Sequence, residues 1–329
     1  MERIIIDTDI GTYYDDAFAV LFAVQSKEVK VEAITTTYGD VNLRARIAKK
    51  VLKVAGRSDI PVAAGVGEPI KGNALMFGWE GQNILTKQDY CDSNLASDPI
   101  HAIDLIIDTV MSNPKEITLI TLGAVSNVAT AIIKEPKIVE NVKQLVIMGG
   151  VIIPIVDEKG VRRSPIEEYN LNNDPVASEI VFKSGIPITL IPIDVTLKVP
   201  LNKDQVDRIN QAETPIAKLV SDILAVWPEQ ERQIYLSVGI PTEHTGLWLH
   251  DPLTIGVVFD PSLVTSAQLH VDVEFSPTII ERDMITRYDI LRTIPKKLPP
   301  NMTVAVDVDA KRFTQLFTDR IVSPKPLGG

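Results

Sequence analysis

The densest chemistry in the chain lies in its first sixteen residues. The apolar run Ile4-Ile5-Ile6 leads into Asp7, Asp9, Gly11, Asp15 and Asp16, and an apolar stretch, residues 17–24, follows at once. Four carboxylates within ten positions repel one another unless a cation compensates them. Oxygen ligands, one cysteine and four histidines in the whole chain suit a hard ion such as calcium or magnesium. An aspartate before a helix is ordinarily a cap that complements the helix dipole. That explanation covers one of these carboxylates and leaves the others unaccounted for.

Other stretches carry polar groups that could join them. His250-Asp251-Pro252 reads first as a helix start, with Asp251 capping and Pro252 in the first turn, and Asp174-Pro175 reads the same way. Residues 167–174, Glu-Glu-Tyr-Asn-Leu-Asn-Asn-Asp, form a polar run after the basic pair Arg162-Arg163; such runs are usually solvated loops. In the turn Leu122-Gly123-Ala124-Val125-Ser126-Asn127, Ser126 is by default an N-cap that also offers a hydroxyl and a carbonyl. Tyr13, Tyr14, Trp79 and Trp248 are candidates to stack on a planar ring, although each also fits ordinary packing. His101, His244 and His270 receive no role.

These groups need a scaffold, and the pattern supplies one. Short Ile/Val/Leu/Thr runs at residues 3–7, 31–37, 61–64, 116–122, 144–148, 187–194, 268–275 and 303–307 alternate with helical periodicities. That alternation predicts an α/β fold: a Rossmann-like, mostly parallel central sheet flanked by helices. A helix over 42–55 puts Leu43, Ile47, Val51 and Leu52 on one face and Arg44, Lys49, Lys50 and Lys53 elsewhere, with Gly56 at its stop. Asp309 is the expected cap of a helix that buries Phe313, Leu316, Phe317 and Ile321. Residues 17–24 are apolar all round, so their helix belongs in the core. No linker divides the chain, and the expectation is one domain over 1–329, with irregular, site-bordering segments near 71–98 and 227–250.

Composition excludes several classes. Of the 329 residues, 33 are Lys or Arg and 43 are Asp or Glu, a net charge of −10, which disfavours nucleic acid or an anionic membrane surface as partner. One cysteine, Cys91, excludes an internal disulfide framework and a cysteine-based metal cluster. Met-Glu-Arg passes directly into the first strand, which argues against a secretory signal, and the expected location is cytoplasmic.

In this order the segments resemble the inosine-uridine-preferring nucleoside hydrolase family, whose opening signature is an apolar strand followed by DxDxGxDD-like acids. The likeness spans nearly the whole chain and includes Ala33-Ile34-Thr35-Thr36-Thr37-Tyr38-Gly39-Asp40, Ala55-Gly56-Arg57-Ser58-Asp59-Ile60-Pro61-Val62, Val146-Ile147-Met148-Gly149-Gly150, Glu168-Tyr169-Asn170, Asp194-Val195-Thr196 and His250-Asp251-Pro252-Leu253. The resemblance implies hydrolysis of the N-glycosidic bond of a small-molecule ribonucleoside. It implies one calcium ion held by Asp9, Asp16, Asp251 and the backbone carbonyl of Ser126, with Asp9 as general base. By the same likeness Asp15 and Asp40 contact the ribose, Glu168 and Asn170 grip its 5′-hydroxyl, and His250 protonates the departing base. It also implies a homodimer or homotetramer. The chain departs from the family in its longer turn, Thr12-Tyr13-Tyr14, in Asp40 where many members have asparagine, and in the basic segment Gly160-Val161-Arg162-Arg163-Ser164.

Chemistry agrees with that assignment. Cleavage of an N-glycosidic bond passes through an oxocarbenium-like sugar that nearby carboxylates stabilise, while a base deprotonates the attacking water. Two other readings stay open. Asp7-Thr8-Asp9-Ile10-Gly11-Thr12 also fits the nucleophile and acid of a haloacid-dehalogenase-type phosphatase, and the scaffold could serve a catalytically silent nucleoside or sugar binder.

Overall fold

The computed structural model describes residues 1–152, 168–237, 246–274, 284–288 and 298–326. The first strand, β1 (Glu2–Thr8), feeds helix α1 (Asp15–Val24), all of whose residues are buried. Next come β2 (Val29–Thr36), α2 (Val41–Val54) and β3 (Val62–Ala64). After the segment to residue 101, α3 (Ala102–Ser112), β4 (Ile117–Thr121), α4 (Ser126–Lys134), α5 (Ile138–Asn141) and β5 (Gln144–Met148) follow. Then come α6 (Pro175–Phe182), β6 (Ile188–Ile191), α7 (Ile193–Thr196), α8 (Lys203–Gln211), α9 (Pro215–Leu224), α10 (Trp227–Ser237) and α11 (His250–Phe259). The chain closes with β7 (Val264–Leu269), β8 (Val271–Glu274), β9 (Met284–Tyr288), β10 (Met302–Val308) and α12 (Ala310–Val322).

Eight strands form one sheet in the order β3-β2-β1-β4-β5-β6-β10-β7, and β8 pairs with β9 separately. Every pairing in the large sheet is parallel except β7 against β10, as the alternation of strands and helices predicts. The chain builds outward from β1 to β3, then returns to lay β4 on the other side of β1. The carboxyl ends of β1 and β4 therefore flank a topological switch point, where ligands of open α/β sheets bind.

Both faces of β1 are covered, which is why its sequence is a continuous apolar run. Ile4 and Ile6 pack with α1, α11 and α12 residues such as Phe18, Leu253 and Phe317, whereas Ile5 packs on the opposite side with Ile106 and Val128. Each such isoleucine contributes roughly 1.5–3 kcal/mol by leaving water. Asp309 caps α12 through Arg312 N–H, and Gly56 after α2 takes a positive φ of 69°, both as expected.

Several expectations are corrected. The run 187–194 is a strand only to Ile191, because Pro192 stands at the cap of α7 and Asp194 lies inside that helix. The run 268–275 is split at His270 into the ends of two strands, β7 and β8, with Phe275 outside the described residues. Residues 227–237 form a helix rather than an irregular segment, with Trp227 fully buried at its start. Arg44, placed off the apolar face of α2 by periodicity, is fully buried.

Candidate active site

The acids assemble where β1 ends. Tyr14 occupies the cap position of α1 without a side-chain cap bond, so neither Asp15 nor Asp16 is consumed in capping. Leu249, not Asp251, stands at the cap of α11, which frees Asp251 in the same way. Carboxylate oxygens of Asp15, Asp16 and Asp251 all lie within 4.8 Å of one another. Asp251 N–H donates to Asp15 Oδ2 at 3.1 Å, and Thr8 Oγ1 donates to Asp16 Oδ1.

Asp9 stands outside that trio but near enough for its charge to repel those of Asp15, Asp16 and Asp251. A Cβ at Gly123, just past the end of β4, would lie 2.9 Å from Asp9 Oδ1, so the turn must have glycine there for the two chain segments to approach. Burial raises the carboxyls of Asp9, Asp15, Asp16 and Asp251 above their ordinary values. Asp9 and Asp15 repel the Asp16 charge, and all three repel that of Asp251. Such a buried, mutually repelling, all-oxygen donor set fits a hard divalent cation, whose charge would offset both penalties.

Asp7 has other work. Its Oδ1 accepts from Thr35 Oγ1 at 2.6 Å and Asn127 Nδ2 at 2.7 Å, tying β1 to β2 and α4, and burial pushes it up to about 7. A carboxylate bonded sideways into the sheet is not a nucleophile aimed at a pocket, and the phosphatase reading fails on that geometry.

The remaining candidates separate. Glu168 is buried, and its two oxygens accept from Leu171 and Asn172 N–H at 3.0 Å each. Asn170 Nδ2 donates to the carbonyls of Leu122 at 2.9 Å and Met148 at 3.2 Å. That fastens the loop to the carboxyl ends of β4 and β5, beside the acids. His250 precedes Asp251 and is buried; its Nδ1 lies 2.6 Å from Thr196 Oγ1, and burial pushes the imidazole down to about 3.

Two expected site residues also make local hydrogen bonds. Asp40 is exposed, and its carboxylate caps α2 by accepting Leu43 N–H at 2.9 Å. Ser126 lies in the first turn of α4, one residue past the cap; its hydroxyl donates to Asp174 at 2.7 Å and its carbonyl accepts from Thr130 Oγ1 at 2.7 Å. Asp174 caps α6 as expected and also accepts Ile70 N–H at 2.9 Å. Arg162, Arg163, Glu167 and His244 lie outside the described residues.

Aromatic rings flank the acids. Tyr13 packs on Trp227 with centroids 4.3 Å apart and reaches His250 at 6.3 Å. Trp248 lies 6.3 Å from the same imidazole. Trp79 stacks on Phe77 at 4.8 Å and donates its indole N–H to Thr12 O at 3.1 Å, docking the segment 71–98 onto the β1–α1 turn. Tyr14 is buried between Trp227 and Phe18, and its hydroxyl donates to Trp248 O, so its work is packing. Phe77, Trp227 and Arg44 are the residues of this region that sequence reasoning missed. Their one shared signal is position, within or beside the segments that join the strand ends.

A mostly parallel sheet with buried acids at its switch point and aromatic flanks defines an α/β protein with a candidate site for a hard cation. The model of the inosine-uridine preferring nucleoside hydrolase family matches residues 4–315. The pyrimidine-specific ribonucleoside hydrolase RihA of Citrobacter koseri is 30% identical over 322 residues, 97% of each chain. RihA of Escherichia coli K12 is 30% identical over 323 residues, again 97% of each. Among solved structures, the purine-preferring ribonucleoside hydrolase from Gardnerella vaginalis superposes with a TM-score of 0.79 at 28% identity, covering 98% of both chains. The plant nucleoside hydrolase PpNRh1 does so at 0.78 and 28%, covering 98% of this chain and 99% of that one. The chain belongs to the inosine-uridine preferring nucleoside hydrolase family, enzymes that cleave the N-glycosidic bond of ribonucleosides. Among the described residues no helix is long and apolar enough to cross a membrane.

Proposed function

We propose that this chain hydrolyses ribonucleosides to free base and ribose with Asp9 as general base, and that Asp9, Asp16 and Asp251 form a calcium site with Asp15 beside them. The observation that carries this reading is the convergence of Asp15, Asp16 and Asp251 on one another next to Asp9 and Gly123. Calcium, when bound, supplies the positive charge that these buried carboxylates need and a fixed point for sugar hydroxyls.

The chain's own groups do the rest. Asp9 accepts a proton from the water that attacks C1′, while the electron pair of the breaking C1′–N bond leaves with the base; the departing nitrogen takes up a proton from solvent and Asp9 returns one to solvent, so the protons balance. The surrounding carboxylates stabilise the positive charge that develops on the sugar ring. Asp15, tethered by Asp251 N–H, accepts from the ribose 2′-hydroxyl, and Glu168 with Asn170 orients the 5′ end. His250, neutral at physiological pH because burial holds it near 3, hydrogen-bonds the departing base. Tyr13, Trp79 and Trp248 shield the base from water. The Ser126 carbonyl, which accepts one bond from Thr130 Oγ1, keeps a lone pair for the cation, and the Asp40 carboxylate, which accepts one from Leu43 N–H, keeps acceptor capacity for the ribose. Assembly into a dimer or tetramer, suggested by resemblance, is read by light scattering.

The deciding experiment is turnover of uridine and inosine in the presence of calcium. Free ribose is expected, and Asp9→Ala should lower kcat by at least about 10³-fold while the circular dichroism spectrum is unchanged. Tight nucleoside binding without base release by the wild-type protein would instead support a silent binder. Wild-type rates in the variant would remove Asp9 from the mechanism.

A further inference from the structure

The turn that carries Asp9 is held by a residue outside the acid cage. Arg44 rises from the first turns of α2 into the core and is fully buried. Among the described residues it makes no ion pair. Its Nη1 donates to the carbonyls of Asp9 and Ile10, the latter at 3.1 Å. Its Nη2 donates to Thr12 Oγ1 at 3.1 Å, and its Nε to the carbonyl of Tyr38. One guanidinium thus spans two turns, the one that follows β1 and the one that follows β2.

Both turns need holding. Gly11 has φ 115° and Tyr38 has φ 61°, left-handed conformations that a tyrosine adopts at a cost of order 1–3 kcal/mol unless its surroundings over-determine them. Burying a guanidinium is also costly, and the attraction between its charge and the Asp9 and Asp16 carboxyls offsets part of that cost. The planar fork recovers that cost by meeting oxygens at fixed angles, an arrangement that a lysine ammonium cannot reproduce. A buried charge spent on the carbonyls of Asp9 and Ile10 holds the main chain that leaves Asp9, and with it the direction of that residue's Cα–Cβ bond.

We infer that Arg44 is a positioning residue: by locking the β1–α1 turn against the β2–α2 turn, it sets where Asp9 presents its carboxylate to the cation and to the attacking water. This rests on the function proposed above. A misplacement of about 1 Å at a reacting group costs on the order of 100-fold in rate, and removal of a group that orients a metal ligand costs roughly 10–100-fold in metal affinity or activity.

The test compares the full-length wild-type protein with Arg44→Lys and Arg44→Met. Three quantities are read: calcium affinity by calorimetry, kcat and KM for a nucleoside, and thermal midpoint. Arg44→Lys keeps the charge and most of the stem, so it should remain folded even where Arg44→Met does not. The expected result for Arg44→Lys is calcium affinity at least about 10-fold weaker and kcat at saturating calcium at least about 10-fold lower, with KM changed much less. Wild-type calcium affinity and kcat in a folded Arg44→Lys, with only the midpoint lowered, would make Arg44 a structural prop and overturn the inference. A wild-type protein that binds calcium but releases no base overturns the proposed function alone, since the affinity comparison still reads the role of Arg44. A wild-type protein that binds no calcium overturns both.

Discussion

The amide of Asp251 donates to the carboxylate of Asp15 at 3.1 Å across 236 residues of sequence. That bond joins the start of α11 to the start of α1, and it places two acids of like charge side by side in the core. Main-chain donors commonly stabilise a charged carboxylate, but the amides of Asp251, Asp15 and His250 together do not offset what burial, with the Asp9 charge, imposes on this group.

A pH dependence follows from the cage. Folding raises the carboxyls of Asp9, Asp15, Asp16 and Asp251, and Asp7 reaches about 7. A group whose folded value exceeds its unfolded one contributes stability below the unfolded value and loses it as pH rises through the folded value. The calcium-free protein should therefore lose thermal stability between about pH 4 and pH 7. Added calcium should flatten or reverse that slope, as scanning calorimetry at several pH values would show; a calcium-free midpoint that rises with pH would contradict a net excess of buried, mutually repelling carboxyls.

Asp251→Asn removes one of the repelling charges and keeps the shape. The calcium-free variant should melt at least about 2 °C above the calcium-free wild type, since relief of even 1 kcal/mol shifts the midpoint by a few degrees. Its calcium affinity should fall about 10-fold or more. Opposite signs in these two measurements are the signature of a carboxylate kept for the cation rather than for the fold.

Glu168 has two duties, since its oxygens cap Leu171 and Asn172 N–H beside the carboxyl end of β5. Glu168→Gln should cost about 1–3 kcal/mol of stability. It should also raise KM and lower kcat together, because a contact that orients the sugar is felt in both. Kinetics with 5′-deoxynucleosides check the assignment: the variant and wild type should differ much less on that substrate.

The His250 ring is held neutral by burial and touches Thr196. Activity between pH 5.5 and 7.5 should show no limb that disappears in His250→Ala, although the rate itself should fall about 10-fold or more. A wild-type limb near 6.5 that the substitution abolishes would mean that the imidazole takes up a proton before donating it.

Asp89 anchors the segment that carries Trp79. Burial alone raises its carboxyl, but Lys50 and the Thr86 N–H and hydroxyl outweigh that and hold it at about 2. A lowered value stabilises the fold above the unfolded value and is lost as pH falls through the folded one. Asp89→Asn should cost about 1 kcal/mol at pH 7, with the difference from wild type shrinking between about pH 4 and 2.

Some of the site is legible without a structure. The opening acids stand out because they share one turn after one strand, and short-range spacing is what a sequence records. Asp251 is ambiguous by itself, since Asp before Pro is an ordinary cap signal; the structure moves the cap to Leu249 and so frees the acid. Asp40 is equally double-edged: its residue type and place before a helix also signal the N-cap that it forms on α2. The periodicity of α2 places Arg44 away from the apolar stripe. No local pattern shows that two neighbouring turns fold over it.

From its sequence alone this protein is an α/β chain with a mostly parallel sheet, a fully buried first helix and an acidic turn suited to a hard cation. Alternating apolar periods and local spacing specify those features directly. Only the tertiary structure decides that β4 returns beside β1, that Asp251 meets Asp15 and Asp16, and that Arg44 is spent on carbonyls. Strand order and helix docking set distances through space, and those depend on how the whole apolar surface is buried at once, a property that no single segment carries.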